Sequence, residues 1–356
     1  MELIMVDSPV TLTGNGGAPI TAVAPKSIWR GDDNAPLAQL VKNELERRWA
    51  RGSQLLDSIC DYALVPTGKL LRPVLLLESA LAVGGDLRCV LPAAVGAECG
   101  HVASLIHDDI IDADDLRRGR ASVPYKYGVS DAIVAGDALI FDLFASLAEC
   151  GRIGAPDSRV VSALDAVARA GIDLCRGQSL EAELCNAVAF DADTYLTVAR
   201  LKTGSLFKGA CECGAILGGG LSGPVAALAS YGERLGIAFQ IQDDLLPYLS
   251  NTQVMGKSET SDIVNGRLTL PVILAYQACA PDDRQLVKDA LRSDSDPAVA
   301  LEFLQDVLTR TGAIAEAAQM ARDCVASAHQ SLAQLPASAS RDRLANFADL
   351  VVQRNH

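Results

Sequence analysis

Apolar residues recur at helical spacing along almost the whole chain. Leu37, Leu40, Val41 and Leu45 share one face, with Glu44, Arg47 and Arg48 elsewhere. The same period predicts helices near 72–84, 90–113, 131–150, 157–186, 192–217, 224–250, 268–280, 283–291, 297–310, 312–332 and 340–353. Breaks fall at Gly84-Gly85, Gly218-Gly219-Gly220 and Pro281-Asp282. No alternating apolar–polar run is long enough to predict a strand, and no fixed-period repeat appears. Residues 1–35 hold Gly14, Gly16, Gly17 and three prolines with little periodicity, which predicts a flexible tail or cap. The remainder, 36–356, predicts a single all-α domain, a large helical bundle without an internal linker.

Composition supports helices. The chain of 356 residues is 49% hydrophobic but only 4% aromatic. Ala and Leu dominate it, and they lose little freedom on entering a helix. The net charge of −13 argues against a nucleic-acid binder, so no nucleic-acid partner is expected. The ten cysteines are scattered without a CxxC pair or a zinc-like spacing. With no signal peptide in view, that predicts a reducing, cytoplasmic setting. The longest nearly uncharged stretch, 90–106, contains Glu98 and His101 and predicts a buried core helix rather than a transmembrane segment.

Against that background the stretch LIHDDIIDADDLRRGR, 105–120, stands out. Five aspartates lie within eight positions, and arginines follow at once. Successive helical residues advance about 100°, so Asp108 and Asp112 point the same way and Asp109 sits to the side. Stacked carboxylates repel unless a cation lies between them. Hard oxygens at this spacing suit Mg²⁺, which keeps waters and binds substrate phosphates. A solvated acidic helix end would look similar, but the apolar lead-in VASLI points to a segment emerging from the core. A second pair, Asp243 and Asp244, follows another apolar run. Two such sites facing across a cavity could hold several Mg²⁺ ions against one diphosphate. Arg117, Arg118 and Arg120 are then expected to neutralise anions beside the metals. Lys69 and Arg72 lie at a helix start, where phosphate is favoured. Lys202 with Thr203, and Lys257 with Arg267, are further candidates; a lone lysine such as Lys202 also snorkels to the surface in many helices. His101 lies two turns before Asp108 on the same face.

Together these stretches resemble the trans-type isoprenyl (polyprenyl) diphosphate synthases. The match runs in order over about 65–280: GKLLRP, HVASLIHDDIID, DLRRGR, YG then GDAL (Gly128, Gly136, Asp137), GQSLE, KTGSLF, FQIQDD, GK and DIVNGRLTLP. The resemblance implies the isoprenoid synthase fold, a helical bundle around a deep cavity, in a homodimer. It implies that an allylic diphosphate ionises, isopentenyl diphosphate attacks the carbocation, and a proton is lost. It assigns Asp108 and Asp112 to two Mg²⁺ ions and Asp243 to a third, with Asp244 acting through water. Lys69, Arg72, His101 and Arg118 match the isopentenyl diphosphate site. Arg117, Lys202 and Lys257 match groups that hold the allylic diphosphate, and Arg267 stands where a lysine is common. Thr203 and Gln240 match polar groups near the developing cation, and Gln178 and Glu181 the element lining the cavity. Pro247 stands where many members have a third aspartate. Residues 1–35 and those after about 285 carry no matching motif.

In this family the side chains just before the first aspartates floor the elongation cavity. Ala103 and Ser104, then Gly100 and Ala97, are all small, which implies a product longer than C15, with geranylgeranyl diphosphate (C20) first. Phe141 or Phe144 on the next helix, or a dimer partner, is an alternative floor. A class I terpene cyclase would also use Mg²⁺ in an α-bundle, but the chain has no Asn-x₃-Ser-x₃-Glu motif. A non-catalytic partner subunit would lose aspartates from the first motif, which here is intact.

Overall fold

The structure is a computed structural model that describes residues 35–49, 54–249, 266–291 and 296–353. The chain runs through α1 (Ala35–Trp49), α2 (Leu55–Leu64), α3 (Leu71–Ala82) and α4 (Leu87–Ile111). A two-stranded ribbon follows, β1 (Leu116–Arg117) with β2 (Arg120–Ala121), then α5 (Val123–Tyr127), α6 (Val129–Ile153) and α7 (Asp157–Asn186). Next come α8 (Ala192–Ala199), a π-helical turn (Arg200–Gly204), α9 (Ser205–Leu217) and α10 (Ser222–Leu249). The end of the chain forms α11 (Leu270–Ala278), α12 (Pro281–Ala290), α13 (Pro297–Thr311), α14 (Ala313–Leu332) and α15 (Ala339–Val352).

The all-α expectation is met, with local departures. α2 and the five-residue α5 are absent from the expected set. The ribbon pairs Leu116 with Ala121 and Arg117 with Arg120, and two residues per strand leave no alternation to detect. The expected helix over 192–217 is interrupted by the π turn at Arg200–Gly204. π turns often mark functional positions. Pro281, expected as a break, opens α12 at its first turn, where its missing N–H costs nothing. The expected tail over 1–35 lies outside the described residues except for Ala35, which starts α1.

α4 is the central helix. The Asp86 side chain caps its start by accepting from the Arg88 backbone N–H (3.0 Å), a bond of a kind that contributes about 1 kcal/mol. Among the described residues it is the one helix long and apolar enough to cross a membrane, yet most of its apolar window is buried in the protein. α4 packs along α6 and α3, and its apolar side joins the core cluster through Val90, Val95, Val102 and Ile106. At the other end of the chain α15 is clamped to α3. Arg343 donates to the buried Glu78 through Nε (2.6 Å) and Nη2 (3.0 Å), and the Tyr231 hydroxyl donates to the Leu344 carbonyl (2.7 Å). A paired, forked contact of this kind keeps a buried carboxylate tolerable.

Candidate active site

The last turn of α4 carries the first aspartates. Asp112 is the residue that ends the helix, and its carboxylate is held by the Arg267 guanidinium. Asp108, one turn earlier, is half-buried. Burial raises its pKa; Lys202 and Arg267 oppose that, and Asp112 and Glu181 add to it. Those causes show which groups surround it. The end of α4, Glu181 on α7, Lys202 in the π turn and Arg267 before α11 converge on one place.

Asp109 points elsewhere, as its angular offset requires. It is 2% exposed and is bound by Arg117 through Nε (2.7 Å), and Arg117 also reaches Asp114 (3.3 Å). Arg117 therefore ties the ribbon to α4. Arg120, expected beside the metals, has a different place. It donates to the backbone carbonyls of Val65 (3.0 Å) and Tyr62, with its guanidinium 4.3 Å above the Tyr62 ring. It thereby anchors the ribbon to the end of α2.

Lys202 Nζ donates to Glu181 Oε2 (2.5 Å), joining the π turn to α7. The close approach of these elements needs Gly177: a Cβ there would land on the Lys202 backbone. A Gly177→Val variant is expected to lose on the order of 3 kcal/mol of stability, because neither backbone can yield easily. Chemical denaturation would measure it, and a variant as stable as the parent would mean the π turn shifts freely. The glycine of GQSLE is thus explained by packing. Its neighbour Gln178 is half-buried, and Gln178 Oε1 is buried without a hydrogen-bond partner.

Thr203 donates to Gln240 Oε1 (2.6 Å), and Gln240 Nε2 donates to Asp244 Oδ1 (2.8 Å). Asp244 Oδ2 accepts from the Tyr195 hydroxyl (2.6 Å) and the Leu270 backbone N–H (3.3 Å). Asp244 is thus buried at the protein end of this chain, anchoring α10 to α8 and α11. Asp243 is half-buried and lies close enough to Arg72 to favour that residue's charge. Pro247 lies inside α10, four residues after Asp243. Having no N–H, it cannot donate to the Asp243 carbonyl. The helix nonetheless continues to Leu249.

A cationic group forms beside these carboxylates. Leu70, between Lys69 and Arg72, is left-handed at φ 52°, and Arg118 is left-handed at φ 54°. Non-glycine residues held there are strained and concentrate at functional sites. Lys69 is exposed at the mouth of the turn. Arg72 lies 4.7 Å over the Phe207 ring, and its buried Nε has no acceptor. Burial lowers the Arg72 pKa to about 10, against the pull of Glu98 and Asp243. The Arg118 guanidinium sits against Gly68, where any side chain would displace it. His101 is held neutral: burial, then Arg72 and Arg118, push its pKa well below the usual value, and its Nδ1 has no partner. Lys257 lies outside the described residues.

Expectations about the cavity floor divide. Ala97, Gly100, His101, Ser104 and Asp108 are all half-buried and form a stripe along α4. Ala103, about 100° round the helix from Ser104, is 0% exposed inside the core. Phe141 is 72% and Phe144 37% exposed in the single chain. Leu143 of α6 instead meets the space beside Gly96 and Gly100.

Among the described residues no three carboxylate, imidazole or thiol groups converge into a ready metal cage. The donor set suits Mg²⁺ all the same, since that ion takes one or two carboxylates and completes its shell with water and phosphate oxygens. Arg267 on Asp112 and Lys202 beside Glu181 show that this carboxylate cluster attracts cations. Sequence reasoning missed Tyr195, and it passed over Glu98, whose signal was a lone charge in an apolar helix.

Comparisons with known proteins bear on the family and the fold. Residues 53–307 match the family model described as polyprenyl synthetase. A short chain isoprenyl diphosphate synthase from Methanothermobacter thermautotrophicus is 36% identical over 297 residues, covering 83% of this chain and 89% of the relative. Among solved structures, geranylgeranyl pyrophosphate synthetase from Pyrococcus horikoshii superposes with a TM-score of 0.83 at 32% identity, covering 89% of this chain and 96% of that one. A polyprenyl synthase from Caulobacter crescentus, solved with calcium and isoprenyl diphosphate, gives 0.80 at 27% identity, covering 90% and 94%. The chain belongs to the polyprenyl synthetase family, the trans-type isoprenyl diphosphate synthases.

Proposed function

We propose that this chain condenses isopentenyl diphosphate head-to-tail with an allylic diphosphate to give a trans-polyprenyl diphosphate of C20 or longer, with geranylgeranyl diphosphate as the main product. The observation that carries the proposal is a pair of charged clusters reached from the half-buried stripe of α4: Asp108 and Asp112 with Lys202 and Arg267, and His101 with Arg72 and Arg118, Arg72 also lying near Asp243. One diphosphate belongs with the carboxylates and the other with the arginines. That pairing of two anionic sites favours condensation over cyclisation of a single substrate.

Asp108, Asp112 and Asp243 would hold Mg²⁺, three ions in all, with Asp244 fixing the helix that presents Asp243. Bound Mg²⁺ supplies charge stabilisation for the departing diphosphate. Lys202, Arg117, Arg267 and Lys257 would orient that leaving group. Thr203 and Gln240 present fixed dipoles near the reacting carbon, since each is locked by the other (2.6 Å). Lys69, Arg72, His101 and Arg118 would hold the acceptor diphosphate. A neutral His101 leaves an imidazole that hydrogen-bonds without adding charge. The apolar walls exclude water that would quench the carbocation. On α6, Val129, Ile133, Val134 and Phe141 are exposed, an apolar face that fits a homodimer. All ten cysteines are free, which fits a reducing, cytoplasmic setting.

The test is incubation with Mg²⁺, isopentenyl diphosphate and each of dimethylallyl, geranyl and farnesyl diphosphate. Products are dephosphorylated and sized by mass. Prenols of C20 or longer are expected. A cyclic hydrocarbon from geranylgeranyl diphosphate alone, or no condensation by folded protein, would overturn the assignment.

A further inference from the structure

Glu98 is one of the most deeply buried charges in the molecule, at 2% exposure on α4, and the mechanism above does not use it. It lies three residues before His101, so both project toward the same side of the helix. Its electrostatic neighbours are Arg118, from the ribbon, and Arg72, from the first turn of α3. A carboxylate this deep is costly unless cations answer it. The two guanidiniums gain as much from it. Burial disfavours the charge on both, Arg118 adds to that at Arg72 and Arg117 at Arg118, while Glu98 is the largest opposing influence on each. Each is also backed by protein, Arg72 by the Phe207 ring at 4.7 Å and Arg118 by the space at Gly68. The buried Arg72 Nε and His101 Nδ1 still find no partner. Backing on one side and unmet polar groups on the other describe a cradle set for an anion.

We infer that Glu98 is a positioning residue: its carboxylate, behind Arg72 and Arg118, holds the two guanidiniums converged on the acceptor diphosphate. This rests on the placement of isopentenyl diphosphate proposed above. The sign of the effect separates positioning from simple charge. Removing a negative group makes the pocket more cationic, which alone would tighten diphosphate binding. Loss of positioning weakens it.

The test is Glu98→Gln, nearly isosteric, with steady-state kinetics for both substrates. KM for isopentenyl diphosphate is expected to rise about tenfold or more, with kcat and KM for the allylic diphosphate within about twofold. Glu98→Asp, which keeps the charge, is expected to recover part of that loss. Combined with Arg118→Lys, the Gln substitution is expected to add less than it does alone. A fall or no change in KM for isopentenyl diphosphate, equal rises for both substrates, full additivity with Arg118→Lys, or Glu98→Asp no better than Glu98→Gln would each overturn the inference. Should Arg118→Lys by itself leave KM for isopentenyl diphosphate unchanged, the acceptor site is elsewhere and both proposals fall. If Arg118→Lys raises it and Glu98→Gln does not, only the role of Glu98 falls.

Discussion

Replacing Asp108 with asparagine is expected to lower turnover by about three orders of magnitude, the scale of losing a group that stabilises developing charge. The substitution keeps the volume and removes the charge. Its neighbours make the loss specific. Lys202 and Arg267 remain near the position, while Glu181 and Asp112 remain as partial competitors for them. Stability is expected to move the other way. Burial raises the Asp108 pKa, so the folded protein binds this proton more tightly than the unfolded chain does. Ligand-free stability therefore falls as pH rises through the shifted pKa and recovers as pH drops below it. Asparagine mimics the protonated state and removes that cost. Metal-free Asp108→Asn at pH 7 is thus expected to melt above the parent, and the gap should close as pH is lowered. Added Mg²⁺ with inorganic pyrophosphate should stabilise the parent more than the variant, since ligands stabilise only the state that binds them. Turnover within tenfold of the parent would remove Asp108 from the catalytic machinery. A variant that melts lower without metal would mean the carboxylate is held by bonds that outweigh its burial.

This opposition between activity and stability explains what the sequence reveals. Asp108 and Asp112 are visible because like charges one turn apart after an apolar run violate the rules of a comfortable helix. Lys202 inside an apolar helix is visible for the same reason. Long helices such as α7 and α14 are visible because each buries a stripe over many turns. What hides is whatever depends on a partner distant in sequence. Arg120 looks like another phosphate ligand until the structure shows it on Tyr62. Asp244 looks equivalent to Asp243, but one step along a helix turns it about 100° into the bonds of Tyr195, Gln240 and Leu270. The π turn hides because one extra residue between two helices leaves both patterns intact and changes only their phase. Gly177 marks it, and a lone glycine does not say what approaches it.

Ser104→Phe is expected to shorten the product to C15, while Ala103→Phe is expected to leave product length alone and damage the fold. The two residues are adjacent and both small, so sequence cannot separate them. One helical step does. Ser104 lies on the half-buried stripe beneath Asp108, with its hydroxyl turned back to the His101 carbonyl (2.7 Å). A ring there would project along the path of a growing chain. Ala103 is enclosed in the core, where Val102 and Ile106 belong to the same cluster. Forcing a ring into that packing costs about 1–3 kcal/mol and lowers the yield of folded protein. The stripe also sets the next limit. The space beside Gly100 is already met by the Leu143 side chain, so the glycine does not open a deeper passage by itself. Product sizing by mass, with thermal unfolding of each variant, separates the roles. If Ala103→Phe makes C15 at an unchanged melting temperature and Ser104→Phe still makes C20, the growing chain runs down the other side of α4. In that case the half-buried stripe serves only the diphosphates, and the chain itself must displace core side chains of α4 and α6 as it lengthens.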